Sequence, residues 1–229
     1  IETPSEEDVK NEMLNIFSNL DTTNKTIITS TFSSHIVRLK TLVDTGQKLG
    51  RKVCLLGRSL NTHSSIAREL NITDLKSGTT IVSRFEEINN LLENVYADRD
   101  KYFLICTGHQ GEEFSVLSRI LDNWFDFSFS KDDIMLFSSS VIPTEQNQAS
   151  FSELEAKMRK KGLNIIKDVH ASGHAGLKDH KKMLNMVNPE FIIPAHAGHD
   201  KAIYIQKLSE NIGVGKTILT KNGDRITLK

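Results

Sequence analysis

Short apolar runs alternate with stretches of helical periodicity along almost the whole chain. The first such stretch, EEDVKNEMLNIF after Ser5, sets Val9, Met13, Ile16, Phe17 and Leu20 on one face. Thr3, Pro4 and Ser5 precede Glu6, Glu7 and Asp8, which predicts a capped helix start with acid in its first turn. TIITS (26–30) reads as a strand, TFSSH as its loop, and the next helix carries Ile36, Leu39, Leu42 and Val43 on one face. The same unit recurs. KVCLL (52–56) leads into GRSLN and a helix to about Leu70. TTIVS (79–83) leads into FEEINNLLENV, and YFLIC (102–106) into TGHQGEE and the helix FSVLSRILD. IMLFS (134–138) precedes a helix from about Ala149 to Lys160, NIIKDV (164–169) precedes LKDHKKMLNMV, and FIIPA (191–195) precedes a helix to about Asn211. TILTK and DRITLK, separated by NGD, predict a terminal hairpin.

Strands alternating with helices imply an α/β fold, a Rossmann-like parallel sheet with crossover helices on both faces. No solenoid repeat or low-complexity linker interrupts it, and no apolar run approaches the roughly 20 residues that span a bilayer. No signal peptide is apparent, and a start at Ile1 rather than Met reads as a fragment or processed product. Lys and Arg together number 29 and so do Asp and Glu, which excludes a cationic coat for polyanions and makes any such site local. The two cysteines, Cys54 and Cys106, fall inside apolar strands and are expected buried and reduced, in keeping with a cytoplasmic location.

In open parallel sheets ligands bind beyond the carboxyl ends of the strands. Here those ends gather small and polar residues: Thr31, Ser33 and Ser34; Gly57, Arg58 and Ser59; Thr107, Gly108, Gln110 and Gly111; Ser138, Ser139 and Ser140. Such loops let backbone amides approach an anion, with Arg58 as a clamp. Strand-to-helix turns favour the same residue types without any ligand; recurrence over five loops at one sheet end, the fifth carrying Ser172 and Gly173, favours a phosphodiester site. His170 and His174 share one loop with Ser172 and Gly173, and His196 ends the next strand, so the three imidazoles are expected to converge. His35, His63, His109 and His180 read as surface or helix residues. HxHxDH, HExxH, CxxC, GxGxxG and P-loop motifs are all missing from the sequence, so it contains neither a complete metal site of those types nor a nucleotide fingerprint.

TFSSHIVRL, GRKVCLLGRSL, LICTGHQGEEFSVLSRI, IMLFSSSVIP and VHASGHAGLKDHKKMLNMVNPEFIIPAH, with the NGD turn, run in order over residues 26–226. In these stretches the chain resembles the RNase J-like ribonucleases of the β-CASP metallo-β-lactamase family. The resemblance implies a β-CASP domain over residues 1–172 and, over 173–229, the C-terminal strand-helix-hairpin part of a metallo-β-lactamase fold whose N-terminal part the chain lacks. It implies a metal-dependent enzyme that cuts RNA phosphodiester bonds, as a 5′-to-3′ exonuclease and in some members an endonuclease. His174 matches the motif B histidine beside the scissile phosphate, and His196 the motif C metal ligand. Ser172 with His174 matches part of a pocket for a 5′-monophosphate, while the Gly/Ser/Thr loops line the RNA path.

The implied cofactor is a pair of zinc ions, with manganese or magnesium as alternatives. The implied partners are single-stranded RNA, a second copy of the full-length enzyme and the missing lactamase half. Glu2 stands near the expected place of the motif A acid. Ala197, Gly198 and His199 replace the Gly-Glu that often follows motif C. With one motif C histidine, the chain alone is expected to be inactive. Two other readings stay open: a non-catalytic RNA-binding module that kept the fold, and an unrelated α/β binder of sugar or nucleotide phosphates.

Overall fold

Ser5 opens the first helix, α1 (Glu6–Asn19), through a capping box: its hydroxyl accepts from the Asp8 amide, and the Asp8 carboxylate accepts from the Ser5 amide at 2.8 Å. The structure is a computed structural model that describes residues 3–228; Glu2 lies outside them. The chain divides into two compact units, Pro4–Ala171 and a C-terminal unit from Ser172 onward that also takes in Thr3.

In the first unit the predicted elements follow in order: β1 (Ile27–Ser30), α2 (Ile36–Lys48), β2 (Lys52–Leu56), α3 (Arg58–Glu69), β3 (Thr79–Val82), α4 (Phe85–Ala97), β4 (Tyr102–Cys106), α5 (Val116–Leu121), β5 (Ile134–Phe137), α6 (Glu145–Lys160) and β6 (Asn164–Ile166). The strands form one parallel sheet in the order β3-β2-β4-β1-β5-β6. Strand period two sends alternate residues to opposite faces. Ile27, Val53, Leu55, Phe103, Ile105, Ile134 and Leu136 pack with α1, α2 and α3 on one side. Ile28, Cys54, Leu56, Leu104, Cys106, Met135 and Phe137 pack with α4, α5 and α6 on the other. Both faces are covered, which is why the strands are apolar without alternation.

Crossover direction matches this division. Connections through α2 and α3 move outward toward β3, and those through α4, α5 and α6 run back toward β6, as right-handed crossovers on opposite faces require. The loops after β1, β4 and β5 therefore leave the sheet toward opposite layers at its centre. At the amino end, buried Asp133 accepts from the amides of Thr26 and Ser130 and from Arg99. Burial raises its pKa against those hydrogen bonds.

The second unit holds α7 (Leu177–Val187), β7 (Phe191–Ile192), α8 (His199–Ile212) and β8 (Lys216–Thr217) around a small core of Leu184, Leu208 and Val214. The predicted terminal hairpin does not form. Lys216–Thr217 pairs in parallel with β7 instead. Lys221 and Asp224 still close a turn around Asn222–Gly223, but no ladder follows among the described residues. A lone two-stranded ribbon with exposed flanks has no face to bury. Other boundaries shift for local reasons: α6 begins at Glu145 because Thr144 caps it, and α5 excludes Phe114, whose φ of 60° is not helical.

Gly111 shows how tightly the β4–α5 loop seats on α6. It holds φ +78°, and a Cβ there would fall on the carbonyl of Ser150. Replacing Gly111 with Ala is expected to destabilise the chain by roughly 1–3 kcal/mol, read as a lower urea midpoint with unchanged slope.

Candidate functional site

The carboxyl end of the central sheet is organised by one cation. Arg38, on the buried face of α2, has no solvent exposure. Its Nε and Nη2 donate to the two oxygens of Glu6 at 2.9 and 2.8 Å. Nη1 donates to the Ser138 carbonyl and hydroxyl at 2.8 and 2.9 Å and to the Val169 carbonyl at 3.3 Å. Ser138 Oγ donates in turn to Val169 O at 2.9 Å. His170 turns its Nδ1 to within 3.4 Å of the same guanidinium. Burial, then the Arg38 charge, lowers the His170 pKa, so the ring is neutral near neutral pH and offers a lone pair. His35 stands 3.6 Å from Glu6 and is likewise held neutral, chiefly by burial.

Several residues of the predicted phosphate-binding set are already engaged within the fold. Thr31 is buried and donates to the Ser138 carbonyl at 2.9 Å. Gln110 is buried and braces the β5–α6 loop, donating to Ser140 O and accepting from Ile142 N. Gly108 is buried with φ +125°, where a Cβ would meet Ser115 and Leu117. Thr107 is half-buried, and its carbonyl accepts from Leu117 N. Ser33 is half-buried without a side-chain partner among the described residues, and Arg58 opens α3 exposed and unpaired. The Ser139 hydroxyl is buried and has no hydrogen-bond partner among the described residues.

His109 departs from the expectation of a surface residue. It is 3% exposed, its ring meets Phe32 edge-on at 4.0 Å, and neither ring nitrogen has a hydrogen-bond partner among the described residues. Burial keeps it neutral by lowering its pKa. Two buried polar groups without partners among the described residues, His109 and Ser139, thus follow β4 and β5, the strands on either side of β1, at the carboxyl end of the sheet. Such groups cost free energy unless something outside the described chain satisfies them.

The three loop histidines are divided between the two units. His174 and His196, in the C-terminal unit, stack with centroids 5.9 Å apart and planes within 4°. His196 is held at φ 59°, a left-handed backbone uncommon for a residue with a Cβ. The His174 amide donates to Ser172 Oγ at 3.0 Å, and its carbonyl accepts from Thr3 Oγ1. Gly173 between them is exposed with open space around it. His170 instead belongs to the Arg38 cluster, because the segment after β6 stays with the large sheet while β7 lies in another. Among the described residues, no group of three or more His, Cys, Asp or Glu side chains is placed to hold a metal ion.

Residues 24–153 match the family described as "Ribonuclease J, beta-CASP domain", and residues 160–219 match "Zn-dependent metallo-hydrolase RNA specificity domain". The chain is 38% identical over 207 residues to the ribonuclease J of Methanocaldococcus jannaschii, covering 89% of this chain and 46% of that protein. It is 36% identical over 200 residues to that of Pyrococcus abyssi, covering 86% and 44%. The ribonuclease J of Mycoplasma pneumoniae is 31% identical over 210 residues, covering 88% and 34%. The chain thus spans less than half the length of these relatives. It belongs to the ribonuclease J family of β-CASP proteins, and that family's description implies a metal cofactor.

Sequence reasoning overlooked Glu6, Arg38 and His109. The signal for Arg38 was present: it stands four and seven residues before Leu42 and Thr45 on the buried side of α2, and an arginine there needs an acid. Replacing Arg38 with Met is expected to cost about 3 kcal/mol, below the fully buried case because Glu6 is 31% exposed. For Glu6, partial burial opposes ionisation, but the hydrogen bonds and charge of Arg38 outweigh it and lower the pKa. A depressed carboxylate stabilises above its unfolded pKa and loses that contribution as pH falls through the folded value. Glu6→Gln is therefore expected to destabilise at neutral pH, with the gap to the parent closing below the ordinary value of 4.5. Paired urea titrations across that range check it.

Proposed function

We propose that this chain is the β-CASP domain and the closing segment of the lactamase-fold domain of a metal-dependent ribonuclease that hydrolyses RNA phosphodiester bonds. The observation that carries this reading is the stacked pair His174 and His196, in the region that matches an RNA-specificity domain. One imidazole, His196, would serve as a ligand of a metal centre whose other donors come from parts of the enzyme outside this chain. When bound, such a centre supplies an activated water and neutralises phosphate charge.

This chain's own share is grip and proton handling. His174 would hydrogen-bond the scissile phosphate or protonate the leaving oxygen. Ser172, with the Gly173 backbone, would hold the 5′-monophosphate of a single-stranded RNA end, giving 5′-to-3′ exonuclease and in part endonuclease action. Arg58, exposed and without an ion-pair partner among the described residues, would supply a further phosphate contact. The unsatisfied His109 ring and Ser139 hydroxyl add fixed groups along the RNA path. Thr31 and Gln110 act by shaping that path, since their polar atoms are already used.

The size of the C-terminal unit supports its closing role. Its three-residue buried core is small for an independent domain, and it leaves Met183, Met186, Val187 and Ile193 exposed. Those side chains would pack against the rest of a lactamase-fold domain, and the full-length enzyme would work as a homodimer. The metals would be a pair of zinc ions, with manganese or magnesium as alternatives. A cytoplasmic site of action fits the thiols: Cys54 and Cys106 are buried and free, pushed up to about 11 and about 12 by burial.

In the full-length enzyme, His174→Ala is expected to lower cleavage of 5′-monophosphorylated RNA by 100-fold or more, roughly the weight of one positioned acid–base group, with metal content near normal. His196→Ala is expected to lower both. Elemental analysis beside a cleavage assay decides: full activity in the first variant, or full metal in the second, removes the assigned role. The 229-residue chain alone is expected to cleave negligibly in the same assay.

A further inference from the structure

A cleft of about 310 Å³ runs between α5 and α6 within the first unit, opening off the β4–α5 loop at Gly111. Phe114 and Trp124 stand at it, 64% and 49% exposed, with ring centroids 6.1 Å apart and planes at 66°. Two large aromatic rings in the open at one cleft are unusual for a surface that needs only to be wet. Phe114 is also held at φ 60°, a costly backbone for a bulky side chain, which keeps its ring out of the core. Arg119 lines the same cleft with its guanidinium 5.4 Å from the Trp124 ring. Its buried Nε has no hydrogen-bond partner among the described residues.

The charges select the ligand. Glu113, Asp122 and Glu153 line the cleft with Arg119 and Lys157, and Lys157 is already paired with Asp122 and Glu153. A phosphate entering this lining would meet more negative than free positive charge. A planar neutral ring would stack on an exposed aromatic face beside the Arg119 guanidinium and offer its amino groups to the carboxylates. The volume lies at the small end of ligand sites, enough for one such ring.

We propose that this cleft takes a nucleobase of single-stranded RNA, stacked on one ring of the edge-on pair Phe114 and Trp124 with the Arg119 guanidinium beside it. The inference rests on the ribonuclease reading and names a second RNA contact, reached from the loop that carries Gly108 and Gln110. Stacking on exposed aromatics is the sequence-tolerant way to hold a single strand.

Trp124 is the sole tryptophan of the chain, so its emission reports on this cleft alone. The probe is a short single-stranded RNA with a 5′-hydroxyl end, titrated into the 229-residue chain, with overall binding followed in parallel by anisotropy of a 3′-labelled strand. Saturable quenching is expected, with affinity about tenfold weaker in Phe114→Ala and in Arg119→Gln, and no quenching by an abasic strand of equal length. RNA that binds by anisotropy while leaving Trp124 emission unchanged, with Phe114→Ala binding as tightly as the parent, overturns the cleft and spares the ribonuclease reading. Absence of RNA binding by both signals overturns the cleft, while the ribonuclease reading stands or falls on the cleavage assay of the full-length enzyme. Quenching by an unstructured peptide but not by RNA assigns the cleft to a protein partner and also ends the proposal.

Discussion

Burying a guanidinium at the end of an otherwise apolar sheet is the constraint around which the large unit is arranged. An unpaired charge in the position of Arg38 would cost several kcal/mol, so each of its donors must find an acceptor. They find them on segments far apart in the chain: Glu6 at the start of α1, Ser138 after β5 and Val169 after β6. The capping box at Ser5 fixes where α1 begins and hence where Glu6 stands. One cation thereby joins the first helix, the β1–α2 connection and the ends of two strands. The central loops of the sheet inherit their positions from that junction.

The polar residues of the sheet edge fall into three kinds. Thr31, Ser138 and Gln110 have their hydrogen-bonding groups committed to loop geometry. Arg58 is exposed, while His109 and Ser139 are buried without a hydrogen-bond partner among the described residues. A ligand gains little from competing with the first kind. It gains most from the last kind, where the cost of burial has been met by folding and the partner is still missing. Residues that look alike in sequence as small polar loop positions therefore have opposite roles.

Local pattern carried most of the fold. Buried strands announced themselves as unbroken β-branched and aromatic runs, and helices by one apolar face, because in a doubly covered parallel sheet local preference and tertiary burial agree. Legibility failed where a local signal met a missing or unexpected neighbour. Asn222–Gly223 made its turn, but β8 found a better partner in β7 than in the residues beyond the turn. The neighbour rule for consecutive strands does not extend across the boundary between units: β6 ends the large sheet and β7 pairs in a second one. Arg38 and His109 were hidden because charge and imidazole are usually solvated, and only a three-dimensional partner, or the lack of one, shows otherwise.

Zero net charge leaves a specific problem for the proposed handling of a polyanion. Long-range attraction cannot concentrate RNA on such a surface, and counterion release from a broad cationic face cannot supply the affinity. Contacts must instead be short-range and placed: an exposed arginine here, an orphan donor there, aromatic rings that stack whatever the base. Short-range contacts work only if the loops that carry them are held still. That requirement leads back to the sheet edge, where a buried charge, a reciprocal helix cap and glycines at positive φ fix the backbone before any ligand arrives.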